Sequence, residues 1–389
     1  MGTTTHKPPT ARLLDLTRLM RRVGRVLTGV DRVERAYLLA LQDAPEPLYG
    51  LVRSRYGYIL LDPGGVAEMT PILSGRANKG QCARAWQVAR RAAVSRGLPW
   101  ALPRMLRKHV PAGSAYLNTG HSNVTERVLR AMESAEISIA VFVHDVIPLE
   151  FPHFQRDGSV TPFRAMIDRV AARADLVIYN SDDTKTRAEA HMPDRIPQSI
   201  VAHLGTEIAS PQPEDLPKDL PPEGPYFVTP GTIEPRKNHA FLLDLWDEMG
   251  ADAPVLVIAG SRGWKNEAVF SRLDALGKGS RVREVSGLSD GALSALVSGA
   301  AGVLLPSHAE GFGLPAVEAA ALGVPVVVNT LDVYGEFLGD IPIYADVSDR
   351  YLWIRTIKTL TEAGQRTYQD HTFDLPSWEA HFKTVLRLT

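Results

Sequence analysis

Six short apolar runs, each about five or six residues long, recur through the second half of the chain: "YFVTPG", "PVLVIAG", "VREVSG", "GVLLPS", "VPVVVN" and "IPIYAD". Helical stretches such as "NHAFLLDLWDEMG" and "DGALSALVSGA" fall between them. Strands buried on both faces read as continuous apolar runs rather than as alternating ones, and helices between such strands carry the chain back to start the next in parallel. This half is therefore expected to form a doubly wound α/β domain. The first half is looser but offers the same alternation, with "ARLLDLTRL", "LYGLVRSR", "SAYLNTG", "ISIAVFVHD", "DLVIYNS" and "QSIVAHLG" as strands.

Between the halves lies "ASPQPEDLPKDLPPEGP", whose six prolines suppress helix and strand alike. At 389 residues the chain is long for a single core. The expected organisation is a Rossmann-like domain over 1–208, a linker over 209–224, a second Rossmann-like domain over 225–372 and a closing helix over 373–389. Open sheets of this kind bind ligands beyond the carboxyl ends of their strands, so two such domains place a ligand in the cleft between them. In the closing segment Trp378, Phe382, Val385 and Leu386 share helical spacing, which suits docking because so short a helix is marginal alone.

A net charge of −1 gives no general attraction to nucleic acid or membrane, so charged partners must be sought in local patches. No apolar stretch is long enough to span a bilayer, and "MGTTTHKPPTARLL" lacks the apolar core of a signal peptide. The opening "MGTTTH" nominally fits a myristoylation pattern but is read as a short lead-in. Cys82 is the one cysteine, which excludes an intrachain disulfide, and no Cys/His cluster has zinc spacing. A reducing, cytoplasmic setting is expected.

After "GVLLPS" the chain runs through "HAEGFG" into "LPAVEAAALG". Pro315 suits a first helical turn and Gly323 a helix end. A strand, a glycine-bearing loop and a helix N-terminus thus follow in order, with exposed backbone N–H groups suited to a phosphate or a polar sugar edge. Gly311 and Gly313 allow close approach. Glu318 sits among Val317, Ala319, Ala320 and Ala321, so it is expected to be a buried carboxylate awaiting hydrogen-bond donors, such as the paired hydroxyls of a ribose. The alternative is a narrow solvent-facing stripe. Glu310, taken alone, reads as a solvated loop charge.

Together, Glu310 and Glu318, separated by seven residues in "EGFGLPAVE", resemble the signature of the retaining glycosyltransferases of family 4, which have the GT-B fold. "GTIEPRKNH", "VLVIAGSRGW", "VSGLSDGALSALVSGAAGVLLPS" and "GVPVVV" resemble successive blocks of that family in order, covering about 225–345. In the first half "FVHDVIPLEFP", "ADLVIYNSDDTKTRAE" and "LTGVDRVERAYLLAL" are similar to its acceptor-domain motifs, and "SWEAHF" to a terminal helix that packs back on the first domain.

The resemblance implies roles for individual residues. Arg236 and Lys237 would neutralise a departing diphosphate; Thr232 stands where many members carry an arginine, so Arg236 would cover part of that role. His144 would face the donor sugar, with Asp145 orienting its loop, and Gly29 would let the first loop approach the donor. Ser286, Gly287 and Leu288 resemble the loop that reads the nucleobase edge. Glu310 with Gly311, Phe312, Gly313 and Leu314 would contact the sugar or its phosphate, and Glu318 the ribose. The implied catalytic set is His144, Glu310, Arg236 and Lys237, with no metal and no cofactor beyond the nucleotide-sugar substrate. A glycosidase is disfavoured because Glu318 points to binding and no clear second catalytic acid is present.

Met69 to Thr125 contains no acid but nine cations: Arg76, Lys79, Arg84, Arg90, Arg91, Arg96, Arg104, Arg107 and Lys108. Trp86, Trp100, Leu98, Leu102, Met105 and Leu106 are interleaved with them. Such a segment suits an anionic membrane surface or a lipid-diphosphate acceptor; a solvated helical face is the plain alternative, and nucleic acid fits less well because no recognised module accompanies the charge. The resulting expectation is a cytoplasmic or peripheral glycosyltransferase of bacterial cell-surface polysaccharide or lipopolysaccharide synthesis. A GDP-sugar, with GDP-mannose as the leading expectation, is favoured over UDP-sugars, and a glycan or lipid-linked saccharide is the expected acceptor. A nucleotide-sugar 2-epimerase, a disaccharide synthase and a non-catalytic nucleotide-binding module are the alternatives.

Overall fold

A computed structural model describes residues 8–25, 27–75, 80–277, 279–363 and 376–389. The chain divides into two compact units, one of Met1–Val146, Thr161–Leu204 and Ser377–Thr389, the other of Ile147–Val160 and Gly205–Pro376. Each unit is built on one sheet.

The first sheet takes β1 (Arg12–Asp15), β2 (Leu48–Arg53), β3 (Tyr58–Leu61), β4 (Ala93–Gly97), β5 (Ala115–Asn118), β6 (Ser138–Val143), β7 (Leu176–Tyr179) and β8 (Gln198–Val201). Their spatial order is β4-β3-β2-β1-β5-β6-β7-β8. From β2 to β8 the pairs are parallel, whereas β3 and β4 are added antiparallel at one edge. These two strands escape a search for apolar runs for different reasons. β3 has only the four residues "YILL", and β4, "AVSRG", exposes Val94 and Arg96 alternately, as an edge strand with one wet face does. The expected strand "ARLLDLTRL" is also shorter than read, because Asp15 ends β1 and a helix starts at Thr17, whose N–H donates to the Asp15 carboxylate at 2.9 Å.

The second sheet is shorter and more regular. It contains β9 (Tyr226–Pro230), β10 (Val255–Ala259), β11 (Val282–Val285), β12 (Gly302–Leu305), β13 (Val326–Val328) and β14 (Ile343–Tyr344), one in each apolar run. All pairs are parallel, in the order β11-β10-β9-β12-β13-β14. β9 and β10 are buried along their whole length. Phe227, Leu256, Ile258, Leu304 and Val327 from the strands pack with Leu242, Leu245, Trp246, Trp353 and Ile357 from helices. Each such side chain removed from water contributes about 1.5–3 kcal/mol. The indoles are satisfied as well, since Trp246 donates to the Pro254 carbonyl at 2.7 Å and Trp353 to that of Ala345 at 3.0 Å. The proline-rich segment is not extended over its whole length: Pro213–Asp215 forms a 3-10 turn, and the Gln212 N–H donates to the Gly291 carbonyl at 2.9 Å.

Within the first unit the closing helix, Trp378–Val385, is capped by Ser377, whose hydroxyl accepts from the Ala380 N–H at 3.1 Å. Its inward face carries Phe382 and Val385 together with His381, which apolar periodicity does not reveal. His381 Nδ1 lies 3.1 Å from the Ala202 carbonyl and 3.0 Å from that of His203, so it holds the proton, and Nε2 accepts from the Tyr37 hydroxyl at 2.9 Å. Tyr37 also meets Phe382 edge-on at 5.0 Å. Arg12, wholly buried, donates to the Thr389 carbonyl at 3.0 and 2.8 Å and pairs with Glu46.

Burial keeps the His381 imidazole neutral down to about pH 4 against an ordinary value of 6.5. The unfolded chain takes up that proton first, so this contribution to stability is complete above pH 6.5 and is lost as pH falls through 6.5 toward 4. His381→Ala leaves a cavity and three unpartnered polar groups, and is expected to cost about 2–4 kcal/mol at pH 7. It should also flatten the decline of stability between pH 6.5 and 4, measured by thermal denaturation across that range.

Candidate active site

In the second sheet the strand order runs outward in both directions from the junction of β9 and β12. At such a reversal the loops leaving the two strands diverge, and their carboxyl ends open a crevice. The loop after β9 carries Thr232, Arg236 and Lys237, and the loop after β12 carries Glu310 to Leu314. The two loops are tied together by the His308 N–H, which donates to the Arg236 carbonyl at 2.8 Å.

Side chains complete the junction. Arg236 donates to Glu310 Oε2 at 2.8 Å and to the Ala309 carbonyl at 2.6 Å, while Lys237 Nζ reaches Glu310 Oε1 at 2.6 Å. Arg236 also bonds Glu234 at 3.0 Å. Glu310 and Glu234 are buried, at 6% and 5% exposure. Glu310 is thus not the solvated loop charge that it reads as when taken alone: two cations from the neighbouring strand's loop fold over it. Burial alone would push its carboxyl up, but the Lys237 and Arg236 charges outweigh that and bring it down to about 2. Burial has the opposite balance at Lys237, whose ammonium is held below its ordinary value despite the attraction of Glu310. Both shifts have one origin, charges packed where water cannot screen them, and the direct ion pair keeps both partners charged near neutrality.

Glu318 falls between the two alternatives. It lies on the helix Leu314–Ala321, whose buried residues are Ala316, Val317 and Ala319, and is itself half-buried. The helix opens at Gly313, with φ of +85° and a Cβ position only 2.5 Å from a Tyr334 ring carbon. Any other residue there would strain the backbone and strike the ring. Phe312 is buried and stacks on Phe337 at 4.2 Å. Thr232 is half-buried beside the turn.

Other candidates stand apart. Ser286 and Gly287 are exposed and Leu288 half-buried in the turn after β11, two strands from β9, with Gly287 at φ +76°. Gly29 and His144 belong to the first unit. Gly29 starts the helix Gly29–Gln42 and is exposed; Thr28 just before it donates through its N–H to Asp31 at 2.7 Å. Arg18 fixes Asp31 to the helix after β1 through a 2.7 Å bond.

His144 follows β6 and is buried, with Nε2 2.6 Å from the Thr119 carbonyl and its own carbonyl accepting from Asn180 at 3.0 Å. The Nε2–H tautomer leaves Nδ1 as an acceptor for a hydroxyl. Burial pushes this imidazole well below its usual range, and His121 nearby adds to the effect.

His121 itself escaped the sequence reading. It sits just beyond the end of β5 at φ +58°, its ring 5.1 Å from that of His144, and burial brings it down to about 4. The buried acids Asp15 and Glu34 were missed too. Asp15 ends β1 and accepts from Tyr116 at 2.9 Å and Asn123 at 2.8 Å; Glu34 packs against Gly120. Burial raises both carboxyls. Since β1 and β5 meet at the strand-order reversal of the first sheet, position at those strand ends was the available signal.

Residues 212–341 match the family described as "Glycosyl transferases group 1". The serotype-specific mannosyltransferase WbdA of Escherichia coli is 26% identical over 57% of this chain and 28% of its own length. The O-antigen chain mannosyltransferase B of the same organism is 28% identical over 53% of this chain and 56% of its own. The chain thus spans about a quarter to a half of these relatives. Anabaena HepE, solved with UDP-glucose, superposes with a TM-score of 0.64 at 16% identity, covering 96% of this chain and 94% of HepE. Sucrose-phosphate synthase from Thermosynechococcus elongatus gives 0.66 at 15% identity, covering 97% and 98%. These identities speak to fold alone, and the fold is GT-B. The Glu310–Glu318 motif and the Arg236–Lys237 loop lie inside the matched region, so residues 212–341 are similar to the group 1 glycosyltransferases in the segment that carries the site.

Proposed function

We propose that this chain transfers a hexose, mannose in the first instance, from a nucleoside-diphosphate sugar to a saccharide hydroxyl during bacterial surface-polysaccharide synthesis, with retention at the anomeric carbon. The observation that carries the reading is the Arg236–Glu310–Lys237 cluster at the β9–β12 junction. Breaking a bond between an anomeric carbon and a diphosphate builds negative charge on the phosphate and positive charge on the sugar. Two fixed cations stabilise the first; each such contact typically supplies about 2.7–4 kcal/mol of barrier lowering. Glu310, charged at neutral pH, offsets the second and occupies both cations until a diphosphate competes for them. Within the first unit, neutral His144 has Nδ1 available to accept from a sugar hydroxyl. Since two cations stand where the leaving group's charge must be met, the chemistry is assigned no metal and no cofactor.

The mannosyltransferase relatives favour mannose, and a guanine nucleotide is our donor base. Glu318, half-exposed at the helix that follows Gly313, is placed on the nucleotide ribose, with Gly311 to Leu314 on the phosphate and sugar and the Ser286–Leu288 turn on the base. The acceptor is a glycan or lipid-linked saccharide. Among the described residues no helix is long and apolar enough to cross a membrane. We place the reaction in the cytoplasm, where nucleotide sugars are made.

A thermal-shift panel of GDP, UDP, ADP and TDP tests the donor assignment. GDP at 100 times its dissociation constant should stabilise the native chain by about 2.7 kcal/mol, and Glu318→Ala should reduce that shift for every nucleotide bound. If none of the four binds folded protein at millimolar concentration, the site is misassigned.

Glu310→Gln removes the buried carboxylate shared by two half-buried cations and should cost roughly 3 kcal/mol in ligand-free protein. Added pyrophosphate should then stabilise the variant more than it stabilises the wild type, as read from their melting temperatures. Equal stabilisation of the two would show that Glu310 does not compete with the diphosphate. Lys237→Ala should lower kcat for mannosyl transfer by about 100- to 1000-fold.

A further inference from the structure

The edge of the first sheet exposes apolar and cationic side chains together. Tyr56 is 71% exposed, Leu98 52%, Trp100 78% and Val94 37%. They converge because of how β2, β3 and β4 pair. Tyr56 sits in the turn from β2 to β3, where the Ser54 N–H donates to the Gly57 carbonyl at 2.8 Å. A Cβ on Gly57 would lie 2.0 Å from the Gly97 carbonyl oxygen and 3.1 Å from Leu98 Cα. The end of β4 therefore lies directly against this turn, and Trp100 follows in the short 3-10 turn Pro99–Ala101. Along β4 itself, Val94 and Arg96 face water, and β4 is the last strand of the sheet.

Cations surround this apolar centre. Arg55 and Arg96 are exposed within it. The helix Leu102–His109 buries Leu102, Met105 and Leu106 and turns Arg104, Arg107 and Lys108 outward. On the helix Gln81–Arg91, Ala85 and Ala89 are buried while Arg84, Arg90 and Arg91 are exposed. Arg91 pairs with Glu68. Since Met69 to Thr125 contains no acidic residue, the segment supplies no charge of its own to neutralise the others.

We propose that this edge, with Tyr56, Leu98 and Trp100 at its centre and Arg55, Arg96 and Arg104 around them, docks on an anionic lipid surface. An exposed Trp and Tyr beside Leu and Val have the amphipathic character of side chains at the headgroup level of a bilayer, and arginines beside them are attracted to anionic lipids. Nucleic acid would use the cations but would leave Leu98 and Val94 with no partner. A second copy docking edge to edge would bring Arg96 and its neighbours against their own equivalents, with no acid from this segment between them. The inference is independent of the donor site in the second unit and extends the function by giving the enzyme a place to meet a lipid-linked acceptor.

The test is flotation of the full chain with vesicles of phosphatidylcholine alone and with 30% phosphatidylglycerol. The wild type should float with the anionic vesicles and remain behind with neutral ones, and the bound fraction should fall as salt rises from about 0.1 to 0.5 M. Leu98→Ser/Trp100→Ser and Arg55→Glu/Arg96→Glu should each weaken anionic binding at least tenfold, while melting temperature and GDP-induced stabilisation stay at wild-type values, since these side chains are exposed. Wild-type protein that ignores anionic vesicles, or variants that float as well as wild type, would overturn the proposal. So would an oligomer that Trp100→Ser dissolves, or binding to single-stranded DNA that exceeds binding to lipid.

Discussion

At the strand-order reversal of the second sheet, one carboxylate is held by two cations. β9 and β12 are neighbours at the strand-order reversal, and the loops that leave them are joined by side chains and by the His308 N–H to Arg236 carbonyl bond, while the β9 loop also bridges to Arg262 after β10. Glu310 makes that joint with Arg236 and Lys237. A buried carboxylate paired with two half-buried cations is costly as structure, and a hydrophobic joint of equal volume would often be as stable. Their retention is intelligible if the cations are to be handed over to a diphosphate. The cluster is then a preorganised site whose counter-charge is already inside the protein.

The surrounding backbone serves the same joint. Gly313 adopts a conformation that L side chains rarely take and gives way to the Tyr334 ring, which fixes the start of the helix Leu314–Ala321 behind the Glu310 loop. Phe312 stacks on Phe337 and holds the loop from its other side. In the first unit a comparable economy appears. His144, Asp15 and Glu34 are buried and His121 half-buried beside them, and burial favours the neutral form of each. Arg18 is the nearby fixed charge, 2.7 Å from Asp31 and 3.9 Å from Glu34.

The strands of the second sheet were legible because burial on both faces leaves a run such as "VLVIA" with no other reading. β3 and β4 were not, since a four-residue strand and a half-wet edge carry neither a run nor a long alternation. Among site residues, the glycine turn and the Arg236–Lys237 pair were readable as local motifs. The burial of Glu310 was not, because its partners lie more than 70 residues earlier in the chain and meet it only through the strand order. The sequence left Glu318 between burial and exposure, and it is half-buried on a helix whose Ala316, Val317 and Ala319 are buried. His381 and His121 fell outside any periodicity, and their hydrogen bonds reach distant segments. Of the basic segment, Arg76 and Lys79 lie outside the described residues; its apolar centre depends on Tyr56, which only strand pairing brings beside Leu98.

The most direct test of the central claim is a crystal structure of the chain with GDP bound. The account predicts the β-phosphate within hydrogen-bonding distance of Lys237 Nζ and the Arg236 guanidinium, with at least one of the Glu310 ion pairs opened to admit it. A diphosphate bound elsewhere, with both Glu310 pairs intact at their ligand-free distances of 2.8 and 2.6 Å, would contradict it.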